Sequence, residues 1–141
     1  MWWISPELSL TYLSRELILL SLPISRLPWR LKEAGYSIED FKDITWKEYI
    51  RLGKEVLRKT GKPLGSAVAE SPDLLMVMLQ SAGSWLFDAK GEPYIVQNNV
   101  LKEVIEVYIE LVKSGVLVQV NDWEQYISTI NKGTVAGTIH G

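Results

Sequence analysis

The sequence predicts an α/β fold, helix-rich and carrying a small sheet. Three observations point there. Helical segments have matched start and stop signals, short apolar runs of small and β-branched residues lie between them, and the size and composition are those of one globular domain. The chain has 141 residues, 47% hydrophobic and 23% charged, enough to bury a real core and too apolar for disorder.

Residues 1–30 form a compositional zone of their own. Leu8, Leu10, Tyr12, Leu13 and the run Leu17 to Leu22 are apolar without clear period, and Pro6, Pro23 and Pro28 punctuate them. A helix from about Glu7 to Leu22 and then an extended stretch is the expectation. The apolar run is too short to span a bilayer, and the start lacks the positive region of a secretory signal. As written, the chain is expected to stay in the cytoplasm where it is made.

From Leu31 the signals become orderly. Lys32-Glu33-Ala34 ends a helical turn at Gly35, a left-handed cap. Thr45 and Glu48 have the spacing of a reciprocal capping box. The helix that follows carries Trp46, Tyr49, Ile50, Gly53, Val56 and Leu57 on one face, Lys47, Arg51, Lys54 and Arg58 opposite, and stops at Gly61. Gly65 to Val68 reads as a short buried strand. Ser71-Pro72-Asp73 then predicts a helix start, with Ser71 as N-cap, Pro72 at the first helical position and Asp73 against the dipole. Leu74 to Leu79 is apolar all round, so this helix is expected to be buried on most sides. Asp88 to Pro93 is turn chemistry between Trp85-Leu86-Phe87 and Tyr94-Ile95-Val96. The next helix runs from about Asn99 to Ser114, with Leu101, Val104, Ile105, Tyr108, Leu111 and Val112 as its core stripe and Gly115 as its cap. Asn121 and Asp122 compete to cap a shorter helix bearing Trp123, Tyr126, Ile127 and Ile130, closed by Gly133. Thr134 to Ile139 reads as a buried strand of small residues, ended abruptly by His140-Gly141.

Composition excludes several chemistries. No Cys and one His remove disulfides, thiolate catalysis, thiolate zinc sites and multi-histidine metal sites, so no metal or cofactor is expected. A net charge of -2 and a pI of about 5.5 argue against a nucleic-acid partner. Glu70 and Asp73 could form an acid–base pair, but dipole compensation explains Asp73 better. His140 has no nucleophile or paired acid beside it. Trp85, following Gly83-Ser84 at a helix end, reads equally as a sugar-stacking platform on a cleft wall or as a core ring covering the helix terminus.

The motif order resembles a known family. Lys32-Glu33-Ala34-Gly35-Tyr36 followed by Ile44-Thr45-Trp46-Lys47-Glu48-Tyr49 is similar to the "leu-x-lys-ala-gly … thr-trp-asp-glu" stretch of the extracellular solute-binding proteins of ATP-binding-cassette importers, in the family-one group that includes maltose-binding protein. Leu79 to Asp88 resembles that family's "gly-gly-x-x-phe-asp" turn. Val104 to Gly115 resembles its "tyr-x-x-leu-val-x-x-gly" helix, and Asn131 to Gly141 resembles its "gly-lys-ala-ala-met-x-ile-x-gly" segment.

The resemblance covers residues 31–141. It implies the helix-rich part of the second lobe of a periplasmic-binding-protein type II fold, with residues 1–30 foreign to the family. It also implies a non-enzymatic carbohydrate binder, extracellular or periplasmic, that holds a sugar or oligosaccharide between lobes and delivers it to a membrane permease. Carried over by position, the ligand-contacting candidates are Glu70, Ser71, Asp73, Trp85, His140 and Gly141. The chain reads as a partial member, expected to bind sugar no better than about millimolar on its own. The sharp boundary at Leu31 is what a reading-frame slip upstream would produce, which translation of the locus in all forward frames tests. The competing expectation is a stand-alone helical interaction protein that self-associates through its apolar N-terminal segment.

Overall fold

The computed structural model describes residues 28–41 and 44–136. The expected helix at Glu7 to Leu22 and the end of the expected strand, residues 137–139, lie outside the described residues. Numbered in chain order, the elements are α1 (Pro28–Glu33), a 3-10 turn (Ile38–Phe41), α2 (Trp46–Thr60), β1 (Gly65–Val68), α3 (Asp73–Ser81), α4 (Asn99–Lys113), β2 (Leu117–Val120) and α5 (Trp123–Asn131). The described part is therefore helix-rich around a two-stranded sheet, in keeping with an α/β architecture.

β1 and β2 pair in parallel, Gly65 opposite Leu117 and Val68 opposite Val120. Parallel neighbours need a long crossover, which α3, α4 and the loop between them supply. The sequence reading assigned no element to Leu117–Val120, although its β-branched run supports one.

α2 shows why the sequence signals were strong. The Thr45 hydroxyl accepts from the Glu48 amide at 3.1 Å. The return half of the box does not form: Arg51 takes the Glu48 carboxylate in two bonds, 3.0 and 2.6 Å, holding that carboxyl below its usual pKa. Gly61 sits at φ 71° and donates to Leu57 O, the left-handed stop foreseen for it. Gly53 has a packing reason. A β-carbon there would stand 2.5 Å from Val116 Cγ1 and 2.9 Å from Leu64 Cδ1, so the helix approaches the strand layer as closely as a glycine allows.

The core gathers Leu31, Phe41, Trp46, Ile50, Val56, Leu64, Met78, Leu79, Val104, Leu111, Val116 and their neighbours from every layer. Edge-to-face ring pairs run from Tyr36 to Phe41, Phe41 to Tyr49 and Tyr49 to Trp46, at 6.5, 6.1 and 5.5 Å. On the surface Lys54 pairs with Glu110 at 2.9 Å, tying α2 to α4 and lowering the Glu110 carboxyl pKa.

Four expectations are corrected. α3 starts at Asp73, with Pro72 rather than Ser71 at the cap position and no side-chain cap bond; Ser71 Oγ instead accepts from the Asp73 amide at 3.3 Å. α3 is not buried on most sides either: only Met78 and Leu79 are fully inside, while Leu74 to Val77 are half-buried, Leu74, Leu75 and Met76 packing against the core with part of their surface open. On α4, Ile105 is exposed, and Val100 joins Leu101, Val104 and Leu111 inside; the apolar sector of this helix is wider than the arc its neighbours cover. Residues 134–136 form a bend, not a strand, although Val135 and Ala136 are buried and the Ala136 amide donates to Pro63 O beside the start of β1.

Candidate functional site

A cleft of about 370 Å³ runs along β1, between the first turns of the two helices that follow the parallel strands. Its floor is β1, from Gly65 to Val68, with Leu117 of β2. One side is the turn into α3 and the first turns of that helix: Ser71, Asp73, Leu74, Met76 and Val77. The other side is α5, which presents Trp123 and Tyr126. This placement follows from chain direction. In a parallel pair both strands deliver their following loops to the same edge, and both following helices start there, so short polar side chains and amide groups collect around one crevice. The half-burial of α3 has the same origin, because Leu74, Met76 and Val77 face the cleft.

Trp123 and Tyr126 form an edge-to-face pair, with centroids 5.1 Å apart and ring planes at 84°. Tyr126 is buried while Trp123 is 55% exposed, so a fixed ring braces a free indole face. The helix beneath is firmly started. Asp122 Oδ1 accepts from the Gln125 amide at 2.8 Å, and Gln125 Oε1 accepts from the Asn121 amide at 3.1 Å, so of the two competing caps Asp122 is the one used. Ser66 ties the floor to this wall. The Thr129 hydroxyl donates to Tyr126 O at 2.7 Å, which leaves the Ser66 hydroxyl as donor to Thr129 Oγ1, also at 2.7 Å.

Of the sequence-derived candidates, the structure brings Ser71 and Asp73 together in this cleft. Glu70 is exposed in the preceding turn and is not part of the lining. Trp85 is also absent from the lining, and at 37% exposure it is not a core ring. His140 and Gly141 lie outside the described residues. The sequence reading placed Trp123 and Tyr126 on a helix but not in a site. The missed signal is their position directly after a strand, on a helix capped at that strand's carboxyl end.

The loop carrying Trp85 is built for rigidity. Asp88 Oδ1 accepts from the amides of Lys90 and Glu92, closing the turn between Phe87 and Pro93. Asn98 is completely buried, accepting from the Leu101 amide at 3.1 Å as the cap of α4. It donates to Trp85 O at 2.9 Å, to Ser84 Oγ at 3.0 Å and to Tyr94 O at 3.3 Å. Among the described residues no group of His, Cys, Asp or Glu is arranged to hold a metal ion, and no helix is long and apolar enough to cross a membrane.

Comparison with known proteins agrees with the motif resemblance. The chain is 32% identical over 111 residues to the lactose-binding protein of Rhizobium radiobacter, which covers 79% of this chain and 26% of that protein. It is 24% identical over 113 residues to the arabinooligosaccharide-binding protein of Bacillus subtilis strain 168, covering 77% and 25%. To the arabinooligosaccharide-binding protein of Halalkalibacterium halodurans it is 28% identical over 112 residues, covering 75% and 24%. The chain thus spans about a quarter of the length of the curated relatives it matches. No family model matches it, and no solved structure does.

Proposed function

We propose that this chain, a relative of the sugar-binding proteins of the solute-binding type, supplies one wall of a saccharide cleft. The single observation that carries the reading is the crevice along β1, lined by an exposed indole paired edge-to-face with Tyr126 and by Ser71 and Asp73. A sugar offers an apolar ring face and a rim of hydroxyls. The Trp123 face suits the first, and Ser71 and Asp73 suit the second. Such a site orients and holds a ligand, and the relatives named as sugar-binding proteins support binding rather than catalysis.

In this reading residues 31–141 are the helix-rich part of the second lobe of a periplasmic-binding-protein type II fold, and residues 1–30 lie outside the family pattern. Glu70 joins at the rim. Trp85, His140 and Gly141 are carried as contacts of the complete protein, where a first lobe closes over the ligand and a membrane permease receives it outside the cytoplasm. The relatives named for lactose and for arabinooligosaccharides point to carbohydrate as the ligand class.

With one wall only, the expected dissociation constant for a disaccharide is about 1 mM or weaker. Binding is then read at high ligand concentration. At about one hundred times the dissociation constant, a ligand stabilises a two-state fold by about 2.7 kcal/mol. Thermal unfolding of the chain with and without about 100 mM lactose should show an upward shift that Trp123→Ala loses. A shift of the same size in both proteins is general co-solvent stabilisation and refutes the reading.

A further inference from the structure

Resting on that reading, we infer that the cleft selects by charge: it accepts uncharged and amino sugars and rejects sugars carrying a carboxylate or phosphate. Among the described residues the lining contains one acidic side chain, Asp73, and no Lys, Arg or His. The bias extends beyond the lining. The two stretches that carry the lining, residues 65–77 and 117–126, contain Glu70, Asp73, Asp122 and Glu124 and no basic residue, with Lys62, Lys90, Lys113 and Lys132 flanking them in sequence. The nearest cation in sequence before β1, Lys62, is not part of the lining and is bonded to Gly133 O at 3.0 Å.

One feature of the architecture works the other way. α3 and α5 both begin at the crevice, and a helix N-terminus carries about half a positive elementary charge, which on its own favours an anion. The sequence answers both termini with full negative charges. Asp73 is the first residue of α3, and α5 has Asp122 as its cap and Glu124 in its first turn. The Asp122 carboxylate is already engaged by the Gln125 amide. Full carboxylate charges at both helix starts exceed the half charge each dipole supplies, so the charge balance there is negative. A carboxylated sugar would meet like charge with no guanidinium or ammonium to compensate its lost hydration. An ammonium-bearing sugar gains from the same field, and a neutral one is indifferent to it while still offering its hydroxyls to Asp73.

The test uses three sugars with the same ring: galactose, galactosamine and galacturonate. The full chain, isotope-labelled, is titrated with each in low-salt buffer, following the Trp123 indole N–H and the backbone amides of residues 65–73 and 123–126 by NMR. Galacturonate should bind at least about tenfold more weakly than galactose, equivalent to about 1.4 kcal/mol. Galactosamine should bind at least as tightly as galactose. Asp73→Asn should narrow the gap between galactose and galacturonate at least about threefold, and so should about 0.5 M salt, because the charges are exposed and screened. Galacturonate binding as well as galactose, or a gap unmoved by both the substitution and salt, overturns the inference and leaves the cleft standing. If none of the three moves these resonances, the proposed function beneath it is what fails.

Discussion

Asn98→Ala should be among the most damaging single changes in the described part of the chain, and its cost is traceable bond by bond. The Asn98 side chain has no exposed surface, and its amide reaches three parts of the structure at once. Oδ1 accepts from the Leu101 amide at 3.1 Å; Nδ2 donates to Trp85 O at 2.9 Å and to Ser84 Oγ at 3.0 Å, with Tyr94 O at 3.3 Å. Removing the cap costs about 1 kcal/mol. The cap loss already counts the Leu101 amide; leaving Trp85 O short of a partner in a buried place adds about 1–3 kcal/mol. A loss of about 2–4 kcal/mol follows, a large share of the ~5–15 kcal/mol that separates folded from unfolded domains. Urea unfolding should show a lower midpoint with an unchanged slope. Asn98→Asp distinguishes the two contributions. It keeps the cap acceptor, removes both donors and sets a carboxylate against the Trp85 and Tyr94 carbonyls, so it should cost at least as much as alanine. An Asn98→Ala loss below about 1 kcal/mol, or an aspartate as stable as the parent, would show that the residue is only a helix cap and refute the bridging role.

Gly53→Ala should destabilise by about 1–3 kcal/mol, despite alanine's better helix propensity, because the new methyl enters space held by the buried Val116 and Leu64; equal or higher stability in denaturant would refute the close approach. Burial raises the Tyr49 hydroxyl pKa above its usual value, so its contribution is intact below about pH 10 and is lost as pH rises and the unfolded chain ionises first. Tyr49→Phe should flatten the fall in stability above about pH 10, and an unchanged alkaline limb would refute this. Trp85→Ala should cost clearly less than the ~3–5 kcal/mol of a buried Trp, since the ring is 37% exposed; a loss in that higher range would make it a core residue after all.

Legibility in the sequence followed how local each signal was. Caps and stops are decided within a few residues, so Thr45, Gly61, Asp122 and Gly133 marked their helices correctly. β2 went unassigned because four residues carry no period, and only pairing with β1 makes them a strand. The sides of α3 and α4 were misjudged for a related reason. An apolar sector says that a surface suits burial, not that a neighbour arrives, and the cleft beside α3 and the open flank at Ile105 are set by tertiary placement. In the proposed cleft, Ser71 and Asp73 were candidates through the family resemblance, while Trp123 and Tyr126 were read only as residues of a short helix, because their place beside the crevice depends on the pairing of β2 with β1. Trp85 drew attention through its Gly83-Ser84 neighbours, yet its loop is anchored through Asn98 to the start of α4 and not to the cleft lining.

The most direct measurement is an NMR map of lactose binding to the full chain, carried to high ligand concentration. Shifts should concentrate on the Trp123 indole N–H and the amides of Ser66 to Asp73 and Trp123 to Tyr126, with an affinity of about 1 mM or weaker. Shifts centred on Trp85 and the Phe87–Pro93 turn, or no saturable shift anywhere, would contradict a saccharide wall along β1 between α3 and α5.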